Sequence, residues 1–280
     1  YKIWLEKLGV KEKTDIAYLE KNILPKIDKY GTEENTFIEM KRFFDMFVDG
    51  KLSNDIMDKL SNIHVLTSKN KLLKVSKCYF SNVFNPELKL EDILDKDIFL
   101  NEKYLFHNID KDDIKRFFKK IGVKDKINLI KASAKISKQD LSSQYKISKD
   151  YFNSGDHISP YPHLPISSYS DIITIEHIDL TDKYEFSKIF WTYIIDNFQP
   201  DKISFYARGY WGYGGLGGQT SGEKVHNYVK WFINYVNCLP TQFKKCYKST
   251  NIFLNSEYIL EIAEGYLPII DLKDISLDWK

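Results

Sequence analysis

Lys111-Asp112-Asp113-Ile114-Lys115-Arg116-Phe117-Phe118-Lys119-Lys120-Ile121-Gly122-Val123-Lys124 is the run on which the architecture turns. Ile114, Phe117, Phe118 and Ile121 recur at i, i+3, i+4 and i+7, the spacing that gathers side chains on one face of an α-helix. Lys115, Arg116, Lys119 and Lys120 fall on the opposite face, Asp112 and Asp113 stand at the start where the macrodipole favours anions, and Gly122 supplies a stop. The run specifies a helix with a fully apolar face. The rest of the chain has to cover it.

Working outward, Phe37, Met40, Phe44, Phe47 and Val48 repeat the helical spacing, and Thr36 followed by Glu39 reads as a capping box. Residues 183 to 198 are apolar nearly all round and stop before Pro200, which predicts a buried helix. Val225, Tyr228, Val229, Phe232, Ile233 and Val236 predict a further one ending before Pro240. Strand-like runs are short: 63–66, 72–75, 171–175 and 203–206. A mixed α/β fold follows, of helices with short strands. Gly155, Pro160, Pro162 and Pro165 among serines mark 153–170 as an irregular connector.

The chain also resembles itself. Trp4-Leu5-Glu6-Lys7-Leu8-Gly9-Val10-Lys11 returns as Phe117-Phe118-Lys119-Lys120-Ile121-Gly122-Val123-Lys124. Ile63-His64-Val65-Leu66-Thr67 with Phe99-Leu100-Asn101-Glu102-Lys103-Tyr104 is echoed by Val236-Asn237-Cys238-Leu239-Pro240-Thr241 with Phe253-Leu254-Asn255-Ser256-Glu257-Tyr258. Two related units in tandem are expected, 1–110 and 111–280, the second carrying an insertion and the connector. Leu8 then corresponds to the core residues of the 114–121 helix.

A length of 280 residues suits two domains, and 43% hydrophobic residues with Tyr 19 and Phe 18 exclude disorder over most of the chain. The formal net charge of +2 gives no global pull toward nucleic acid or membrane. Cys78, Cys238 and Cys246 form neither a CxxC pair nor a disulfide framework, so a reducing, cytoplasmic setting is expected. No apolar run is long enough to span a bilayer. The opening Tyr1-Lys2-Ile3-Trp4-Leu5-Glu6 reads as the middle of a helix, as if the sequence began inside a larger polypeptide.

The order of an aromatic helix ending in Leu-Gly-Val, a helical stretch, Leu-Thr or Leu-Pro-Thr, then Phe-Leu-Asn-x-x-Tyr resembles the repeat-containing region of sacsin-like and NO VEIN-like proteins. In that family the region follows a GHKL-type ATPase domain, and some bacterial members are linked to antiviral defence. The resemblance implies a noncatalytic scaffold or coupling module whose partners are other domains of the same polypeptide or a protein effector. The family's catalytic acidic motif and Asp-x-Gly nucleotide loop have no counterpart here, so no catalytic residue and no cofactor carries over.

Two local features remain. Gly209, Gly212, Gly214, Gly215, Gly217, Gly218 and Gly222 are interleaved with Tyr210, Trp211 and Tyr213 in what reads as a strand–loop–helix context, where phosphates can be cradled. Gly217 and Gly222 have P-loop spacing, but Glu223 stands where the lysine belongs and would repel phosphate. Tyr210, Trp211, Tyr213, Gly214 and Gly217 are therefore candidates for a partner-contacting loop, against the plainer alternative of a surface loop. The second feature is the basic stretch 111–149. Its Lys115, Arg116, Lys119 and Lys120 are candidates for weak, nonspecific nucleic-acid contact, with Tyr145, Tyr151 and Phe152 as stacking groups, or else form a solvated lysine-rich face. Ser221 with His226 makes no triad, the six histidines lack zinc spacing, and His157 and His163 are at most an accidental pair, so no enzyme or metal centre is expected.

Overall fold

The chain divides into two units, Tyr1–Lys126 and Ile127–Lys280. A computed structural model describes residues 4, 7–8, 15–25, 33–94, 96–155, 165–199, 203–211 and 221–252. The fold is mixed α/β, as expected. Among the described residues no helix is long and apolar enough to cross a membrane.

In the first unit, α1 (Asp15–Tyr18) runs on into a π-helical turn at Leu19–Ile23, followed by α2 (Glu33–Val48) and α3 (Asn54–Leu60). α2 begins upstream of Thr36, so the Thr36/Glu39 pair is not a capping box. Thr36 is buried, and Glu39 instead holds Arg42 one turn on at 3.2 Å. An antiparallel hairpin follows, β1 (His64–Leu66) with β2 (Leu72–Lys74), then a 3₁₀ turn at Val75–Lys77.

α4 (Lys111–Ile121) completes the first unit. Asp110 caps it, its carboxylate accepting the Asp112 N–H at 2.7 Å, and Gly122 ends it with φ 116. Ile114, Phe117, Phe118 and Ile121 are wholly buried, each stabilising by roughly 1.5–3 kcal/mol on burial. Their cover comes from α2, α3 and the 99–106 segment: Phe44 meets Phe117 edge-on at 5.8 Å, and Tyr104 meets Phe118 at 5.2 Å. This packing puts α4 in the first unit. The boundary therefore falls at Lys126–Ile127, not after residue 110.

The second unit contains β3 (Leu129–Ala132), β4 (Ile136–Ser137), α5 (Lys138–Gln144), α6 (Lys149–Asn153), β5 (Ser168–Ser170), β6 (Ile172–Ile175), α7 (Tyr184–Asn197), β7 (Tyr206–Trp211), β8 (Ser221–His226), α8 (Tyr228–Tyr235), β9 (Leu239–Pro240) and β10 (Cys246–Tyr247). β4-β5-β7-β8 form an antiparallel sheet, while β3 pairs with β6. Asp171, at φ 59, breaks the chain between β5 and β6 and sends the two halves into different sheets. Asn227 fixes that switch: fully buried, its side chain accepts the Ile173 N–H at 3.0 Å and donates to the Asp171 carbonyl at 3.1 Å. Two expectations fail here. The strand predicted at 203–206 begins only at Tyr206, and Val225 belongs to β8, with the helix starting three residues later at Tyr228.

The self-resemblance survives in one place and fails in another. At a constant offset of 174 residues, α3, β1, β2 and the Val75–Lys77 turn recur as α8, β9, β10 and a 3₁₀ turn at Ser249–Asn251. The hydrogen bonds recur as well: Thr67 N to Lys71 O at 2.8 Å is matched by Thr241 N to Lys245 O at 3.0 Å, and Asn70 N to Thr67 O by Lys244 N to Thr241 O, both 2.9 Å. Asn70 and Lys244 both have positive φ, 58 and 54, and both threonines are fully buried. In each unit a long helix packs on the first hairpin strand, α2 on β1 and α7 on β9. Residues 49–53 separate α2 from α3, whereas β7 and β8 lie between α7 and α8. The β7–β8 ribbon thus occupies the place of the expected insertion. The other echo does not hold, because Trp4 and Leu8 are 68% and 62% exposed while Phe117, Phe118 and Ile121 are buried. Residues 253–258 lie outside the described residues.

Candidate functional site

The basic helix α4 keeps most of its charge for itself. Asp125, its side chain 4% exposed, receives Lys115 at 3.2 Å and Lys119 at 3.1 Å, and accepts the Glu87 N–H at 3.1 Å. Burial pulls the Asp125 pKa upward. The Glu87 N–H, Lys119 and Lys115 together outweigh it and hold the carboxyl below its ordinary value. Arg116 pairs with Asp113 at 2.9 Å, and Lys126 with Glu87 at 3.5 Å. Of the four predicted cations, Lys120 alone has no carboxylate partner among the described residues. Two of the three proposed stackers are unsuited too, since Tyr151 and Phe152 are buried and the Tyr151 hydroxyl donates to the His226 carbonyl at 2.8 Å, while Tyr145 is half-buried.

The glycine cluster begins and ends in strands, not between a strand and a helix. Gly209 lies inside β7 and Gly222 inside β8, paired with Tyr210, so strands bound the run on both sides; the glycines at 212, 214, 215, 217 and 218 lie outside the described residues. Gly209 is closely packed: a Cβ there would stand 2.8 Å from Ile166 Cδ1 and 3.0 Å from its Cγ2, so Ile166 would have to shift. Of the partner-loop candidates, Trp211 is buried and Tyr210 is half-buried on the opposite face of the same strand. Tyr213, Gly214 and Gly217 lie outside the described residues.

Period-two alternation along β7 turns Ala207, Gly209 and Trp211 inward and Tyr206, Arg208 and Tyr210 outward. Register extends that outer face across the sheet. His226 stands opposite Tyr206, Lys224 opposite Arg208, Ser170 beside Arg208, and Ser168 between Tyr210 and Ser137. Lys224 Nζ lies 3.8 Å from the Tyr206 ring centroid, Lys230 Nζ 4.6 Å from the same ring, and Lys135 Nζ 4.6 Å from the Tyr210 ring. The Lys230 ammonium also donates to the Tyr206 hydroxyl at 3.4 Å. No carboxylate among the described residues pairs with Lys135, Arg208, Lys224 or Lys230. The nearby acids Asp140 and Asp171 accept from Ser137 at 2.7 Å and Ser170 at 3.0 Å. The alternation Tyr206-x-Arg208-x-Tyr210 was a readable signal in the sequence, masked by reading the glycines as a loop.

The reactive side chains are engaged in structure. Burial pushes the Cys78 thiol up to about 12 and the Cys238 thiol up as well, so both remain protonated. Burial likewise pushes the Tyr228 hydroxyl up to about 12. The Cys238 carbonyl accepts from Trp191 Nε1 at 2.8 Å and from the Ser187 hydroxyl, tying α7 to β9. Ser221 and His226 stand at opposite ends of β8, too far apart along a strand for a nucleophile and its base. Among the described residues no group of His, Cys, Asp and Glu could hold a metal ion. His157 and His163 lie outside the described residues.

Comparison of the chain with protein-family models, with curated proteins and with solved structures gave no match.

Proposed function

We propose that the chain is a noncatalytic scaffold or coupling module of a larger chaperone-like ATPase protein of the sacsin-like kind, acting in the cytoplasm in concert with other domains of its polypeptide or with a protein effector. The observation that carries this reading is the helix–hairpin–3₁₀ segment repeated at a constant offset of 174 residues. Chains built from repeated supersecondary units generally serve as extended frames on which surfaces are displayed, and their chemistry resides elsewhere. The use of Asp125, Cys78, Cys238 and Asn227 as internal ties supports the same reading. The alternative, a nucleic-acid module on 111–149, is weakened because Lys115, Arg116 and Lys119 already have carboxylate partners.

Isothermal titration of the purified chain with magnesium ATP tests the proposal. No binding heat and no phosphate release are expected, since β7 and β8 flank the glycine run and Glu223 occupies the place of a phosphate-binding lysine. Micromolar ATP affinity, or turnover abolished by substitutions in this chain, would overturn it.

A further inference from the structure

The outer face of the β4-β5-β7-β8 sheet presents an arrangement that a scaffold does not need. Two ammonium groups, Lys224 and Lys230, crowd a single ring, Tyr206, at 3.8 and 4.6 Å from its centroid. Arg208 projects from the same face directly opposite Lys224, and Lys135 lies over Tyr210 at the other end of the strand. Like charges gathered at this separation repel, and no carboxylate among the described residues relieves them. An anion placed over β7 would do so.

We propose that this face binds single-stranded nucleic acid: Lys135, Lys224 and Lys230 leave the rings they cover in the free protein and join Arg208 on phosphates, and Tyr206 and Tyr210 then serve as stacking platforms. Single strands are held where a cationic surface tracks the backbone and aromatic rings receive successive bases. Here the two rings stand four residues apart on one strand, about 13 Å at roughly 3.3 Å per residue, with Arg208 midway between them. Ser137, Ser168 and Ser170 keep the remainder of the face small and polar, so a flexible chain can lie flat across it. A duplex has no such access, because its bases are read by elements that enter a groove. A membrane surface fits less well, as the outer-face side chains of this register are those of Tyr, Arg, Lys, His and Ser. The proposal goes beyond the scaffold reading and uses β7 rather than the neutralised helix α4.

Fluorescence anisotropy of the intact chain with a labelled oligothymidylate, its duplex counterpart and phosphatidylserine vesicles tests it at about 50 mM salt, where such contacts are strong. Single-strand affinity at least tenfold above duplex affinity is expected, with a salt slope of about −3 from four phosphate contacts. Arg208→Ala with Lys224→Ala should lower the affinity more than tenfold. Tyr206→Leu, which leaves the charge unchanged, should lower it several-fold through lost stacking, and Lys120→Ala should leave it as it was. All four positions have side chains on the surface or half-buried, and circular dichroism of each variant confirms that the fold is kept. Equal binding of single strand and duplex, binding unmoved by the Arg208/Lys224 pair, vesicle binding in place of oligonucleotide binding, or no binding at all would each overturn the proposal. None of these outcomes touches the ATP titration, so the two readings fail separately.

Discussion

Asp125 and Phe118 show how single residues hold the first unit. Phe118 is fully buried among Tyr104 and Phe117, so Phe118→Ala should cost about 3–5 kcal/mol, measured by urea unfolding. A loss under 1 kcal/mol would mean that α4 is not packed as described. Asp125 makes a prediction about pH. Its folded pKa lies below its unfolded one, so its contribution is fully present above the unfolded carboxylate range, near about 4, and is lost as pH falls through the folded value. Asp125→Asn should therefore be destabilised by about 1–3 kcal/mol at neutral pH, since Lys115, Lys119 and the Glu87 N–H lose their anionic acceptor. The gap between variant and native protein should narrow on acidification. A gap that is constant from pH 7 to about pH 3 would show that the carboxylate charge contributes nothing.

At the scale of elements, the repeated hairpin turn gives a comparison of opposite sign. Asn70 and Lys244 occupy the same left-handed position, at φ 58 and 54. Lysine is strained there and its side chain makes no hydrogen bond or ion pair among the described residues, so Lys244→Gly should stabilise by a few tenths to about 1 kcal/mol. Asparagine tolerates the conformation, and its side chain accepts from Asn101 at 3.2 Å, so Asn70→Gly should be neutral or destabilising. Thermal unfolding of the two variants decides it; a rise in midpoint for Asn70→Gly and a fall for Lys244→Gly would reverse the argument. Helices were the part of the fold most open to reading from sequence, because Ile114, Phe117, Phe118 and Ile121 encode their face locally. The β7–β8 ribbon was not, since the glycines read as a loop, and only strand pairing places Gly209 and Gly222 in strands and sets Gly209 against Ile166. The neutralisation of the basic patch was hidden for a similar reason: the Glu87 amide that helps hold Asp125 lies 38 residues away, and spacing along α4 could not reveal it.

For the whole molecule, the first unit carries its own continuous core, from Leu19 and Ile23 through Phe43, Met57, Val65 and Phe84 to Val123. A unit with such a core folds by itself in most cases. A fragment of residues 1–126 should therefore unfold cooperatively in urea, with coincident transitions by fluorescence and circular dichroism. A gradual, noncooperative loss of signal would place part of its core elsewhere. A fragment ending at residue 110, where the sequence suggested the boundary, should fail the same test, because it lacks Ile114, Phe117, Phe118 and Ile121.

The hairpin present twice in the chain also offers a matched pair of probes within one molecule. The amides of Thr67 and Thr241 close the same turn with nearly the same geometry, 2.8 and 3.0 Å to the opposing carbonyl. Protection factors remove the intrinsic rates, which differ because Leu66 precedes Thr67 and Pro240 precedes Thr241, so what remains at the two sites is the opening free energy of each surrounding unit. The ratio of their protection factors reads that difference directly, with each copy serving as the other's reference and no mutant needed.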